Sequence, residues 1–236
     1  MFRRASVFSL LMCSAACAAP VPVQPKADDA LPASAAKLLA HRKLQKELKM
    51  TAEQRIELVD ALEDLDEVFA KKFQELAKVP NPPEEAFDKL DREQDAARAK
   101  VFANAAKGLS AAQRVRLKQL DVRVRGVAAF ADPAIEKVLQ LTDAQKKKVK
   151  ESAEQLKAAV GKFIDGDGND DDTEEQRKEK LFAFRAERQK DIEAVLTKEQ
   201  LAEWARLLGE KPTAALNLNE LWLEAEEEAD ALEPKP

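Results

Sequence analysis

The sequence predicts an all-α protein of long antiparallel helical hairpins, and three observations support this. Hydrophobic residues make up 45% and charged residues 35% of the 236 positions. The chain is rich in Ala, Leu, Glu, Lys, Gln and Arg, which lose little entropy in a helix. There are only 6 Gly, and β-branched residues nowhere alternate over a strand-length run. Apolar residues recur instead at three- and four-residue steps, which is the spacing of one helix face.

Residues 1–19 are expected to be a signal peptide. Arg3 and Arg4 precede a short apolar run, and small residues up to Ala19 supply a cleavage region. This pattern predicts a periplasmic or secreted protein. The segment Ser14-Ala15-Ala16-Cys17 resembles a lipobox, so a lipid anchor on Cys17 is the alternative to ordinary cleavage, and a membrane is an expected partner only then.

Two further segments flank the expected helical region. A Pro/Ala-rich linker is expected over residues 20–33, where four prolines occur and apolar content is low, and regular helix is expected from about Ser34. Residues 212–236 form an acidic C-terminal tail, whose acidic end from Glu224 onward follows Leu221-Trp222-Leu223. This tail is expected either to fray or to fold back, as an internal cover, over the basic strip of residues 114–125 that is described below.

Four short segments repeat one pattern, a Thr or Ser followed three residues later by Gln. Such a pair is a capping box, in which the hydroxyl accepts from a first-turn amide and the Gln reaches back to the cap residue. The pairs are Thr51 and Gln54, Ser110 and Gln113, Thr142 and Gln145, and Thr197 and Gln200. Each predicts a helix start.

The spacing of the four boxes predicts a tandem duplication. The first two boxes are 59 residues apart and the last two are 55 apart. These near-equal offsets indicate a repeated three-helix unit of about 90 residues. The expected units are residues 34–130 and 131–211.

In the first unit, the helix that begins after Thr51 should stop near Val79, because three prolines follow at once. A returning helix is expected from about Glu84 to Lys107, ended by Gly108, and a shorter third helix from Ser110. The second unit follows the same plan. It is preceded by a short helix that Asp132-Pro133 should begin.

The repeated Leu-Thr-x-x-Gln boxes resemble those of the LTXXQ family, whose members include the periplasmic chaperones Spy and CpxP. The boxes at Leu141 and Leu196 match the family pattern fully, whereas Met50 replaces Leu in the first box and Ser110 replaces Thr in the second. The stretch from Gln113 through Pro133 is also similar to exported helical proteins of planctomycete-type bacteria. The resemblance covers roughly residues 45 to 210.

What the resemblance implies is a Spy/CpxP-like protein that binds unfolded or envelope proteins without ATP, as a chaperone or an envelope-stress adaptor. The family's chaperones are cradle-shaped dimers, so it implies either a homodimer or two halves of one chain standing in for two subunits. The alternative, from a different class, is a structural envelope protein whose helices assemble with themselves.

No constellation in the sequence points to an enzyme. His41 is the only histidine, both cysteines lie in the expected signal peptide, and no Gly-x-Ser-x-Gly or phosphate-binding loop occurs. We therefore expect no catalytic residue and no cofactor. The net charge of −5 also gives no support for nucleic-acid binding.

One loop resembles a metal site. Asp165, Asp167 and Asn169 occupy the first three ligand positions of an EF-hand loop. Asp170 stands where that loop needs Gly, and Gln176 stands where it needs a bidentate Glu. We expect a solvated connector, or at most a weak Ca²⁺-binding module.

Basic residues cluster in the third predicted helix of the first unit. Such a cluster is most simply a solvated helix face. If it has a function, we expect it to form a cationic surface that attracts acidic or unfolded proteins. The residues of this basic strip are Arg114, Arg116, Lys118, Arg123 and Arg125.

Overall fold

The structure is a computed structural model that describes residues 31–166 and 172–232. The expected signal peptide and most of the expected linker lie outside these ranges. Within them the chain is all-α and contains no strand, which confirms the predicted fold class. No helix in the described part of the chain has the length and apolar character needed to cross a bilayer.

The described residues contain ten α-helices and two 3₁₀ segments. The α-helices are α1 (Ala33–Lys37), α2 (Arg42–Glu47), α3 (Ala52–Ala77), α4 (Glu84–Lys107), α5 (Ala111–Arg125), α6 (Pro133–Leu139), α7 (Asp143–Ile164), α8 (Glu174–Glu193), α9 (Lys198–Leu208) and α10 (Leu218–Leu232). The 3₁₀ segments are Leu38–Ala40 and Gly126–Ala131.

Helices α3 and α4 form a long antiparallel hairpin. Lys72 pairs with Glu93 at 3.4 Å and Asp66 with Arg98 at 2.7 Å, so residue numbers rise along one helix as they fall along the other. Helix α3 ends at Ala77, shortly before the three prolines, because proline has no amide hydrogen to continue the ladder. Helices α7 and α8 form the second long hairpin.

The two expected units contribute to one shared hydrophobic core. The segment Gly126–Ala131 lies within it and packs against α5, α6, α7 and α8. Phe130 in this segment is fully buried and lies 4.0 Å, between ring centroids, from Trp204 of α9. The segment that joins the halves is therefore a central part of the fold.

Gly126 allows the chain to turn sharply from α5 into this core segment. Its φ is +54° and its ψ is −116°, a backbone conformation that is strongly disfavoured for residues with a Cβ atom. A Cβ at this position would also lie 3.0 Å from Nη2 of Arg185. Glycine is thus required both by the backbone conformation and by the close approach of a buried arginine.

Part of the expected acidic tail forms helix α10, and this helix folds back against α5 and α7. Leu221, Trp222 and Leu223 all belong to the shared core. The exposed side chain of Glu224 lies beside His41, with 3.4 Å between Oε2 and Nδ1. The final helix therefore covers part of the core that α5 and α7 would otherwise expose.

Candidate functional site

Each of the four boxes begins a helix in the structure. At Thr142, for example, the hydroxyl accepts from the Gln145 amide at 3.3 Å, and the Gln145 side-chain oxygen accepts from the Thr142 amide at 2.9 Å. The boxes of Thr51, Ser110 and Thr197 have the same two bonds. Because these bonds satisfy amides that have no partner within the helix, they stabilise the first turn.

The glutamines of the first two boxes also bond to each other. Nε2 of Gln54 donates to Oε1 of Gln113 at 3.2 Å, and Nε2 of Gln113 donates to Oε1 of Gln54 at 3.1 Å. Each Nε2 donates a second bond to the backbone just before the opposite box, to Gly108 O at 2.9 Å and Lys49 O at 3.2 Å. The starts of α3 and α5 are thereby held side by side.

The last two boxes form a second glutamine pair with the same pattern. The Gln145 and Gln200 amides exchange bonds of 2.7 and 3.1 Å, and they also donate to Val195 O at 2.8 Å and Leu139 O at 3.0 Å. When the capping bonds are included, the side-chain NH₂ group of each glutamine donates two hydrogen bonds and its side-chain oxygen accepts two. These glutamines therefore join helices, and they have no hydrogen-bonding group left for a ligand.

A fifth capping box lies at the start of α8 and was missed from the sequence. Thr173 and Gln176 exchange the two capping bonds at 3.3 and 2.8 Å. The Thr-x-x-Gln spacing was available as a signal, but Gln176 was considered only as a replaced calcium ligand. Within the described residues, Gln176 makes no hydrogen bond to another glutamine.

The arginines of the basic strip are half-buried, and their hydrogen bonds are to the protein itself. Arg114 donates to Leu109 O at 2.6 Å, just before its own helix. Arg123 donates to Leu208 O at 2.8 Å and Gly209 O at 2.7 Å, where α9 ends. Burial and the nearby charge of Arg116 lower the pKa of Arg123. These guanidinium groups thus bind backbone carbonyls at the end of α9 and in the connection between α4 and α5.

The other residues of the strip are also engaged. Arg116 forms an ion pair with Glu47 and donates to Glu210 O at 2.7 Å, and Arg125 bridges Asp121 and Asp132 at 2.9 Å each. Lys118 has an interaction partner as well. Burial acts to raise the pKa of Glu47, but hydrogen bonds from Arg116 and Thr213 outweigh it, so this pKa lies below its ordinary value. The strip connects α5 to its neighbours, and its arginines do not form a free cationic face.

The structure describes the calcium-like loop only at its two ends, up to Gly166 and from Asp172 onward. Asp165 is exposed at the end of α7, whereas Asp167, Asn169 and Asp170 lie outside the described ranges. Within those ranges no three His, Cys, Asp or Glu side chains are grouped so as to hold a metal ion. The single histidine, His41, is beside Glu224, as described above.

The α3–α4 hairpin has the largest share of exposed apolar side chains. Four of its apolar side chains are at least 39% exposed: Ile56 (58%), Val59 (39%), Val68 (50%) and Val79 (48%). The distal half of this hairpin, residues 65–97, is here called the arm. In the arm, Phe69 and Leu90 are buried but lie outside the shared core. The other apolar residues between the arm's helices are only half-buried: Leu65, Phe73, Leu76 and Phe87.

The arm also carries a shallow depression on one side. Its volume is about 240 Å³, and its lining combines apolar and charged side chains: Lys72, Leu76, Ala86, Lys89, Leu90 and Glu93. Nζ of Lys72 lies 4.4 Å from the centre of the Phe69 ring, so the ammonium group covers one face of this ring in a cation–π contact. The arm thus presents a partly uncovered apolar surface with charged edges.

Comparison with known proteins gives no relative: no family model matches the chain, and no curated protein and no solved structure matches it. The class that the fold defines is an all-α protein with one shared core and one hairpin that extends from it.

Proposed function

We propose that this chain is an exported, Spy/CpxP-like helical binding protein that holds segments of unfolded or envelope proteins without ATP. The observation that supports this is the arm, whose apolar stripe is covered by only two helices. A single layer of two helices leaves both sides of its apolar contact open to solvent. The second hairpin differs, because the core segment 126–131 and α10 pack against it.

Apolar side chains at the edges of the arm can contact a bound unfolded segment, here called the client, without selecting a particular sequence. Val68 and Val79 are about half exposed, and the half-buried residues beside them extend the surface. Contacts of this kind are weak one by one, so bound segments exchange quickly and no nucleotide is needed for release. Exposed apolar surface that is rimmed by charge is typical of interaction sites.

The proposed binding surface is therefore the arm and not the basic strip. The strip's guanidinium groups already donate to backbone carbonyls and carboxylates, as at Arg123 and Arg116. A client would have to replace those bonds, which leaves buried carbonyls without partners. On the arm, a client displaces only water.

Aggregation suppression with a generic unfolding protein, in buffer without nucleotide, tests the proposal. The double variant Val68→Ser/Val79→Ser should capture the client about tenfold more weakly, since buried CH₂ groups contribute about 0.8 kcal/mol each. The matched control is Val138→Ser/Val195→Ser, two valines that are 44% and 43% exposed away from the arm. Equal loss in both variants, or no protection by the original protein, would contradict the proposal.

The structural alternative uses the same surface. Two arms from two copies would cover each other's apolar edges, so a self-assembling envelope protein is favoured by the same exposed valines. Sedimentation separates the alternatives. Assembly that is lost in Val68→Ser/Val79→Ser, together with absence of client protection, would favour the structural role.

A further inference from the structure

In the described part of the chain, one side of the α3–α4 hairpin is exposed along its whole length. Lys72 of α3 and Glu93 of α4 form their 3.4 Å ion pair there, and both line the depression described above. Phe102 follows Glu93 by about two and a half helical turns, so its side chain points the opposite way, into the shared core. The rest of the protein therefore packs against the other side of the hairpin, and the side with the Lys72–Glu93 pair is here called the open side.

Charged residues of opposite sign follow the two edges of the open side. Steps of three, four or seven residues stay on one side of a helix, so residues at such steps from Lys72 and Glu93 lie on the open side. The α3 edge carries three exposed carboxylates: Glu57, Asp64 and Glu75. The α4 edge carries three exposed ammonium groups: Lys89, Lys100 and Lys107. Within the described residues, none of these six charges forms an ion pair with the other helix of the hairpin.

Each carboxylate of the α3 edge lies at the same height along the hairpin as one lysine of the α4 edge. Asp66 and Arg98 are in contact at 2.7 Å and mark one height. Asp64 and Lys100 each lie two residues closer to the base of the hairpin, so they too are level. A count of nine residues in either direction from Asp66 and Arg98 gives two further level pairs: Glu57 with Lys107, and Glu75 with Lys89.

This charge arrangement is complementary to itself. A twofold axis parallel to the helices, in front of the open side, places α3 of one copy over α4 of a second copy at the same height. Each carboxylate of the α3 edge then faces a lysine of the other copy. A twofold axis perpendicular to the helices would instead place α3 over α3 and bring acids against acids, which is unfavourable. The charges therefore select the parallel axis.

The middle of the open side also suits a second copy. Val68 lies four residues before Lys72 and Val79 seven after it, and these valines are 50% and 48% exposed. A second copy covers both valines and so removes apolar surface from water. Lys72 and Glu93 meet the same ion pair of the second copy with the signs alternating, so no charge is buried without a partner.

We propose that the open side of the α3–α4 hairpin binds a second copy of this chain, in a twofold dimer whose four hairpin helices form a bundle with α3 over α4. Because exposed ion pairs are individually weak, the dimer should be reversible and sensitive to salt. The twofold arrangement closes on itself and does not build a larger assembly. The inference does not depend on client binding by the arm; a client that binds Val68 or Val79 competes with the second copy.

Sedimentation of the full-length chain over a concentration series tests the dimer. The original chain should dimerise at low salt, and at least about tenfold more weakly at high salt, where the edge charges are screened. A triple variant reverses the α3 edge: Glu57→Lys, Asp64→Lys and Glu75→Lys. It should dimerise at least about tenfold more weakly than the original, because lysines then face lysines. A sixfold variant restores opposite charges and should regain the dimer; it adds Lys89→Glu, Lys100→Glu and Lys107→Glu.

The matched control makes the same change of net charge on the face of α3 that points away from α4. Its three exposed positions are changed as Asp60→Lys, Glu63→Lys and Glu67→Lys. This variant should dimerise like the original chain, and circular dichroism checks that all variants keep their helicity. The proposal is overturned if the original chain sediments as a monomer at every concentration, or if its dimer does not respond to salt. It is also overturned if the control loses the dimer as the triple variant does, or if a helical sixfold variant fails to regain it.

Discussion

Gln54 and Gln113, which are 59 residues apart, face each other through two reciprocal amide hydrogen bonds of 3.2 and 3.1 Å. Each glutamine at the same time caps its own helix and binds a carbonyl in front of the other's helix. Gln145 and Gln200 do the same 55 residues apart. The box is therefore a capping motif that also connects two helix starts, and this explains why its position needs an amide.

Replacing one paired glutamine by glutamate should destabilise the protein. In Gln145→Glu the carboxylate still accepts from the Thr142 amide, but it cannot donate to Val195 O or to Gln200. Leaving those acceptors without a donor in a buried site should cost about 2–3 kcal/mol in the free energy of unfolding. Urea denaturation measures the change.

The control for this substitution is Gln176→Glu, in the one box of the described residues whose glutamine makes only capping bonds. A glutamate there keeps the capping bond and adds negative charge at a helix start, so stability should change by less than about 0.5 kcal/mol. Similar losses in both variants would show that pairing contributes nothing beyond capping.

Alanine should have opposite effects at two glycines. Gly126→Ala forces a side chain into a conformation with φ of +54° and against Arg185 Nη2, and should cost about 2 kcal/mol. Gly161→Ala lies inside α7 with nothing within 4 Å of the new Cβ, and should stabilise by about 0.5–1 kcal/mol. Thermal melting measures the stability of both variants. A Gly126→Ala protein as stable as the original would contradict the close approach of Arg185 Nη2 to position 126.

The stability conferred by Glu226 should depend on pH. Burial raises the pKa of Glu226, and the bond from Trp222 Nε1 and the charge of Arg185 offset this only in part. A carboxyl whose pKa is raised on folding holds its proton more tightly in the folded state, so stability falls as pH rises from its ordinary pKa through the raised one.

Glu226→Gln removes that dependence, because the amide is never ionised but still accepts from Trp222. The variant should gain stability relative to the original protein at pH 7, and the gain should shrink at pH 4, where the carboxyl is protonated. Urea unfolding at both pH values measures the difference. A gain that is larger at pH 4 than at pH 7 would mean that the sign is wrong.

The expected export can be tested on protein recovered from cells. Arg3, Arg4, the apolar run and the small residues up to Ala19 predict that the mature chain starts near Ala19 or carries a blocked, lipidated Cys17. Mass spectrometry of the N-terminus distinguishes the two. An intact Met1 in cytoplasmic protein would refute the localisation.

Much of the fold follows from local signals in the sequence. Prolines after Val79 end α3, Asp132-Pro133 begins α6, and a hydroxyl three residues before Gln begins a helix at each box. Each signal acts within one turn of its own residue, so it can be interpreted without knowing the neighbours. The Thr173 box has the same local signal, but the sequence was interpreted there as a solvated connector with a partial calcium-loop pattern, so this helix start was not predicted.

The sequence by itself determined the helical class, the helix starts at the four predicted boxes and the end of α3 before its prolines, because hydrogen bonding and apolar spacing within a few residues dictate them. Only the tertiary structure decided that the glutamines pair, that Arg116 and Arg123 hold backbone and carboxylate groups, and that Trp222 is buried. Those outcomes depend on residues more than 50 positions apart, such as Arg123 and Gly209. A run of basic or acidic residues looks the same in a sequence whether it faces solvent or a helix end, and packing alone decides between them.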